Sequence, residues 1–97
     1  MAFLETLRGY YPDAVFIAAI GHMISDYYPV GFRAWTNIQE DVQEIVDSRN
    51  ASGDADVHSL FLGPQTEPYG EDYHPTLATH ATMATKLVAM VESLGVF

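Results

Sequence analysis

The densest group of chemically able side chains in this sequence is Gly70-Glu71-Asp72-Tyr73-His74-Pro75. An imidazole that acts as a general base needs an acid to fix its tautomer and to stabilise the protonated ring. Asp72 stands two residues before His74. In a tight loop at a helix start, that spacing can bring the carboxylate to the ring, and the dyad can then activate a hydroxyl nucleophile. Spacing alone leaves a second reading open, in which His74 is a structural loop histidine. A third assembles His74 and His80 with Asp72 and Glu71 around a metal. The two histidines are not the i, i+4 pair of a zinc helix, so neither metal nor cofactor is expected. His80, inside the final helix, reads more simply as a hydrogen-bonding residue that buttresses the loop. His22 and His58 say less, and His58 falls at the start of a strand, away from the loop.

The nucleophile is the gap. Ser25, Ser48, Ser52, Ser59 and Ser93 are the serines, and none lies in a Gly-x-Ser-x-Gly or Gly-Asp-Ser setting. Only Ser25 is on the edge where the chemistry would sit, and its surroundings, Met23-Ile24-Ser25-Asp26, are undistinguished. No Gly-rich turn or Gly-x-Asn-Asp segment offers an oxyanion hole. The absence of cysteine removes thiolate chemistry, Cys-based zinc and any disulfide frame. Tyr10, Tyr11, Tyr27, Tyr28, Phe32 and Trp35 could suggest a carbohydrate platform. The tyrosine pairs read more simply as loop anchors packing against helices, Trp35 as core, and Met83 and Met90 as core filler.

The elements that must position these residues can be read from periodicity. Phe3 to Arg8 has the apolar spacing of a helix end, stopped by Gly9 and Tyr10 to Asp13. Ala14 to Ile20 is a continuous apolar run closed by Gly21, as in a strand buried on both faces. Ala34, Ile38, Val42 and Ile45 recur at helical spacing, with acidic residues on the other faces. Asn50 to Asp56 is turn-forming, and a second apolar run, Val57 to Leu62, ends at Gly63-Pro64. The last element is a helix from about Thr76 to Leu94, with an apolar stripe of Leu77, Ala81, Ala84, Leu87, Val88, Val91 and Leu94. Gly95 ends it. Strand, helix, strand, helix predicts two parallel strands joined by a right-handed crossover. In such sheets the chemistry gathers beyond the carboxyl ends of the strands, here at Gly21-His22-Met23 and from Gly63 to His74.

The chain has 97 residues, 13 Asp and Glu against 4 Lys and Arg, and a net charge of −9. It is one domain at most. No basic stripe is present for nucleic acid, and an anionic membrane would repel it. The 48% hydrophobic content argues against disorder. No apolar run is long enough to span a bilayer. Met1 to Arg8 lacks the basic n-region of a signal peptide, and the compartment is not legible. Two apolar strands with no third are a poor stand-alone sheet, which leaves two expectations. Either more chain completes the sheet, or two copies associate in a non-catalytic, self-associating α/β module.

At Asp72-Tyr73-His74-Pro75-Thr76-Leu77-Ala78-Thr79-His80-Ala81-Thr82-Met83-Ala84 the sequence resembles the last conserved block of the SGNH (GDSL-type) hydrolases. More narrowly, it looks like the acetyl-xylan esterases of carbohydrate esterase family 2. Their block has Asp, an aromatic, His-Pro, then a His and a Met-Ala pair. The upstream Leu7-Arg8, Tyr11-Pro12-Asp13-Ala14 and Gly21-x-Met23 are similar more loosely, as is Leu94-Gly95 before a hydrophobic residue. The resemblance implies that residues 1–97 are the C-terminal half of a three-layer α/β/α SGNH-type domain, with two parallel strands and two to three helices. It implies His74 as general base, Asp72 as its supporting acid, and Tyr73 (often Trp in the family) at the acyl or sugar pocket. It further implies an acetylated carbohydrate substrate and suggests secretion. The blocks bearing the Ser nucleophile and the oxyanion Gly and Asn have no counterpart here. The resemblance therefore implies an esterase contribution of His and Asp that is inactive alone.

Overall fold

The computed structural model describes residues 2–21, 23–27, 29–63, 65, 69–71 and 74–95. The order of elements is α1 (Ala2–Tyr10), β1 (Phe16–Ile20), α2 (Ala34–Ala51), β2 (Val57–Phe61) and α3 (Leu77–Leu94). The strands pair in parallel, with Phe16 opposite Val57 and Ile20 opposite Phe61. This is the predicted α/β arrangement of two parallel strands and three helices. α2 runs further than its last apolar repeat suggested, to Ala51, and its end is closed by Ser52 and Gly53 amides donating to the Ser48 and Asn50 carbonyls. α3 starts one residue later than predicted because Thr76 is its N-cap, accepting from the Thr79 amide at 3.2 Å. Gly95 ends it at φ 68°, a left-handed conformation that costs glycine little.

The core sits where α2 covers the sheet. Ile20, Val46, Val57 and Leu62 are its buried hydrophobic members among the described residues. Trp35, in the first turn of α2, meets Phe61 edge to face with ring centroids 6.3 Å apart, so Trp35 is core as expected. The other face is less filled. Both strands are mostly half-buried, not buried on both faces. The apolar stripe expected along α3 also does not pack as one face. Leu77 is 88% exposed and Val88 54%, while Met83, Met90, Val91 and Leu94 are half-buried. Tyr10, Tyr11 and Tyr27 are exposed rather than packed as loop anchors, and Tyr28 lies outside the described residues.

These exposures add up to a shape. The accessible surface is 6797 Å², whereas a compact chain of this mass has about 5500 Å². The radius of gyration is 15.2 Å, against about 12.5 Å for a compact chain of the same length. The extents are 41 × 34 × 19 Å, a slab. The surplus, about 1300 Å² of total surface, exceeds one side of a standard protein interface, about 800 Å².

The amino ends of the strands are held by charge. The Arg8 guanidinium donates to both Asp54 oxygens, at 2.9 and 3.1 Å, and Arg49 donates to Oδ2 at 2.9 Å. Arg8 also donates to the Ala14 carbonyl at 2.6 Å and lies 4.2 Å over the Phe16 ring. One side chain thus ties α1, the entry to β1 and the turn before β2. Hydrogen bonds from Arg49, then Arg8, lower the Asp54 pKa from 3.8 to about 2. The folded state therefore favours the carboxylate, and its contribution is complete above about pH 4 and lost as pH falls toward 2. Thermal melts between pH 5 and pH 2 should show Asp54→Asn less stable than wild type at pH 5, with the gap closing at pH 2. A gap that stays constant with pH would contradict this.

Candidate active site at the carboxyl edge of the sheet

Two loops leave the carboxyl ends of β1 and β2, as parallel topology requires. The first, residues 21–33, is anchored by Asp26. Its Oδ1 accepts from the Thr36 amide at 2.8 Å, and its Oδ2 accepts from the Thr36 hydroxyl. Arg33, the residue at the N-cap position of α2, makes no side-chain cap and adopts φ 49°. Asp26 therefore does the capping from ten residues away, which binds the loop to the start of α2. The Thr36 side-chain and backbone hydrogen bonds, helped by the Arg33 charge, hold the Asp26 carboxyl below its ordinary pKa. Sequence reasoning did not find this cap. Its signal, a loop Asp followed at a distance by Thr, is too common to recognise without the fold.

The second loop follows β2. Leu62 extends the ladder by donating its amide to the Ile20 carbonyl at 3.1 Å, and its own carbonyl accepts from Lys86 Nζ of α3 at 3.0 Å. This lysine, the only one in the chain, fixes α3 to the carboxyl end of β2. The loop returns to the helix through a tight turn. Gly70 donates to the His74 carbonyl at 2.7 Å, and His74 donates to the Glu71 carbonyl at 3.0 Å. Pro75 and the capping Thr76 follow.

His74 is exposed, at the N-terminal approach to α3. Asp72 and Tyr73 lie outside the described residues, as does His22. His80 is exposed one turn inside α3, and its backbone amide bonds to the Thr76 carbonyl at 2.9 Å. That contact is made by the helical backbone and does not involve the imidazole. Among the described residues, no three His, Asp or Glu side chains converge as a metal site. His58 sits within β2.

The serines are mostly engaged in local structure. Ser25 Oγ accepts from the Tyr27 amide at 3.3 Å. Ser59 Oγ donates to Gln43 Oε1 at 2.9 Å, and the Ser52 and Ser93 hydroxyls donate to the Arg49 and Met90 carbonyls at 2.8 and 2.7 Å. Ser48 is exposed on α2. An open groove beside α2 is lined by Thr36, Gln39, Glu40, Gln43 and Phe61. Among the described residues, no candidate catalytic histidine lines it. No described helix is long and apolar enough to cross a membrane.

Two parallel strands, a covering crossover helix and a histidine-bearing turn at the carboxyl edge define the chain as α/β, with a candidate site where parallel sheets place theirs. The chain is similar, in sequence and in fold, to family 2 carbohydrate esterases. It is 33% identical over 92 residues to the cellulase/esterase CelE of Acetivibrio thermocellus, covering 93% of this chain and 11% of that protein. An active-site mutant of a family two carbohydrate esterase from Clostridium thermocellum superimposes with a TM-score of 0.83 at 32% identity, covering 99% of this chain and 28% of the other. A family two carbohydrate esterase from the same organism, solved in complex with cellohexaose, gives 0.81 at 33% identity, covering 97% of this chain and 28% of the other. The chain thus spans about a tenth of the curated relative and little more than a quarter of the solved chains. No protein-family profile matches it.

Proposed function

We propose that this chain is the C-terminal portion of an SGNH-type serine esterase that removes O-acetyl groups from carbohydrate. It supplies the general base and supporting acid, and a separate segment supplies the serine. The observation that carries the reading is His74, exposed in the turn beyond the carboxyl end of β2, in a chain similar to carbohydrate esterases. In the completed enzyme the serine hydroxyl attacks the ester carbonyl and His74 takes its proton. The ester C–O bond breaks, and His74 returns the proton to the leaving sugar oxygen. Water, deprotonated by His74, then releases acetate from the serine. Asp72 holds the imidazole, and Tyr73 borders the acyl or sugar pocket. The surplus exposed surface supports completion by a further segment.

The test is hydrolysis of an acetylated xylo-oligosaccharide by the purified chain, alone and joined to a nucleophile-bearing segment from a family 2 esterase. The chain alone should show no turnover above background, and the joined protein should show turnover. Robust hydrolysis by the chain alone, abolished by His74→Ala, would overturn the division of residues. The same exposed apolar surface favours one other reading, a self-associating module without catalysis. That reading predicts a stable dimer by light scattering, and no activity when joined.

A further inference from the structure

The turn that carries His74 closes against a bare Cα. A methyl group added to Gly70 would stand 2.9 Å from the His74 carbonyl oxygen, 3.5 Å from the Pro75 oxygen and 3.6 Å from the His74 carbonyl carbon. All three are backbone atoms, so no flexible side chain can swing aside. The clashing oxygen is also the one that accepts the Gly70 amide at 2.7 Å. The same close approach that makes the hydrogen bond therefore excludes a side chain. At Gly9, Gly21, Gly31, Gly53, Gly63 and Gly95, an added methyl group meets nothing within 4 Å among the described residues. Gly70 differs from them because the chain doubles back on itself there.

We propose that Gly70 is a positioning residue for His74, setting where the imidazole projects at the carboxyl edge. This rests on the reading of His74 as general base and deepens it. The His74 backbone is held from two directions. On one side is the turn, with Gly70 donating to its carbonyl and its own amide donating to Glu71. On the other side Pro75, with its fixed φ, leads into Thr76, which is bonded into the first turn of α3. With the helix end fixed, a methyl group at residue 70 must be relieved by opening the turn, and that moves His74. Ordinary contact begins near 3.4 Å, so the opening is about half an ångström, on a scale where a 1 Å misplacement costs about 10²-fold in rate.

The test compares Gly70→Ala with Gly9→Ala, which adds the same methyl group in α1 with open space around it. In the full chain, nuclear magnetic resonance should show the His74 amide and imidazole signals displaced in Gly70→Ala, with the β1 and β2 amides unmoved. Gly9→Ala should leave His74 where it was. Unmoved His74 signals in Gly70→Ala would overturn the proposal. In the joined, hydrolytically competent protein, Gly70→Ala should lower kcat by about 10- to 100-fold with little change in KM, and should have no further effect in a His74→Ala background. If His74→Ala abolishes turnover but Gly70→Ala leaves kcat intact, positioning fails and the general base stands. If His74→Ala leaves turnover intact, the general base fails, and the resonance comparison still decides whether Gly70 places His74. Should Gly70→Ala not fold, amide exchange in the wild-type chain decides. A Gly70 amide slowed at least tenfold relative to the unstructured rate supports the clamp, and exchange at the unstructured rate overturns it.

Discussion

Replacing His74 with alanine in the completed enzyme is expected to lower kcat/KM for an acetylated sugar by about 10⁴- to 10⁶-fold. The size follows from the two proton transfers assigned to one ring. Without it, a serine hydroxyl at neutral pH is a weak nucleophile and the leaving alkoxide receives no proton. Oxyanion donors on the completing segment would remain, which is why loss to the uncatalysed rate is not expected. Asp72→Asn should cost about 10⁴-fold through the wrong imidazole tautomer. In the proposed mechanism the two residues act as one unit, so the double variant should be no worse than His74→Ala alone. Tyr73→Ala, at the proposed pocket border, should raise KM more than it lowers kcat. Circular dichroism should be unchanged in His74→Ala, since His74 is exposed and outside the core. A His74→Ala enzyme within tenfold of wild type would remove His74 from the mechanism.

How much of this was legible beforehand depended on range in sequence. The helices and strands were, because each carries its own period: Val42 and Ile45 in α2, the unbroken apolar run through Ile20, and Pro75, Thr76 and Gly95 bracketing α3. The loop holding His74 was legible for a related reason, since βα connectivity dictates which ends of the strands face the same way. Arg8 and Asp54 were not, because 46 residues separate them and nothing local marks either as the other's partner. In the sequence Arg8 only closes the first helical stretch and Asp54 falls within a turn. The Asp26 cap was hidden in the same way. The stripe on α3 misled for a different reason. Periodicity reports which face is apolar but not whether anything covers it, and in this chain Leu77 and Val88 remain exposed.

That distinction sets the largest stability effect. Val57→Ala should destabilise the chain by about 2 kcal/mol, whereas Val88→Ala, the same deletion on α3, should change stability by less than about 0.5 kcal/mol. Val57 is 1% exposed and is the largest fully buried side chain described, whereas Val88 is 54% exposed. Each buried methyl(ene) group contributes about 0.8 kcal/mol, and the cavity left at Val57 adds to that loss. The site has little freedom to collapse. Val57 opens β2 opposite Phe16, and its carbonyl accepts from Asn50 Nδ2 at 3.1 Å. The Phe16 amide is in turn bonded to the Asp56 carbonyl at 2.8 Å. Hydrogen bonds on both sides therefore hold the backbone in place while the side chain shrinks. In a chain whose described buried hydrophobic core is Ile20, Val46, Val57 and Leu62, a loss near 2 kcal/mol is a large part of the total. Urea unfolding of the two variants at matched pH should show a lower midpoint for Val57→Ala alone, at an unchanged slope. Equal midpoints would mean that the face covered by α2 is not the one that holds the chain folded.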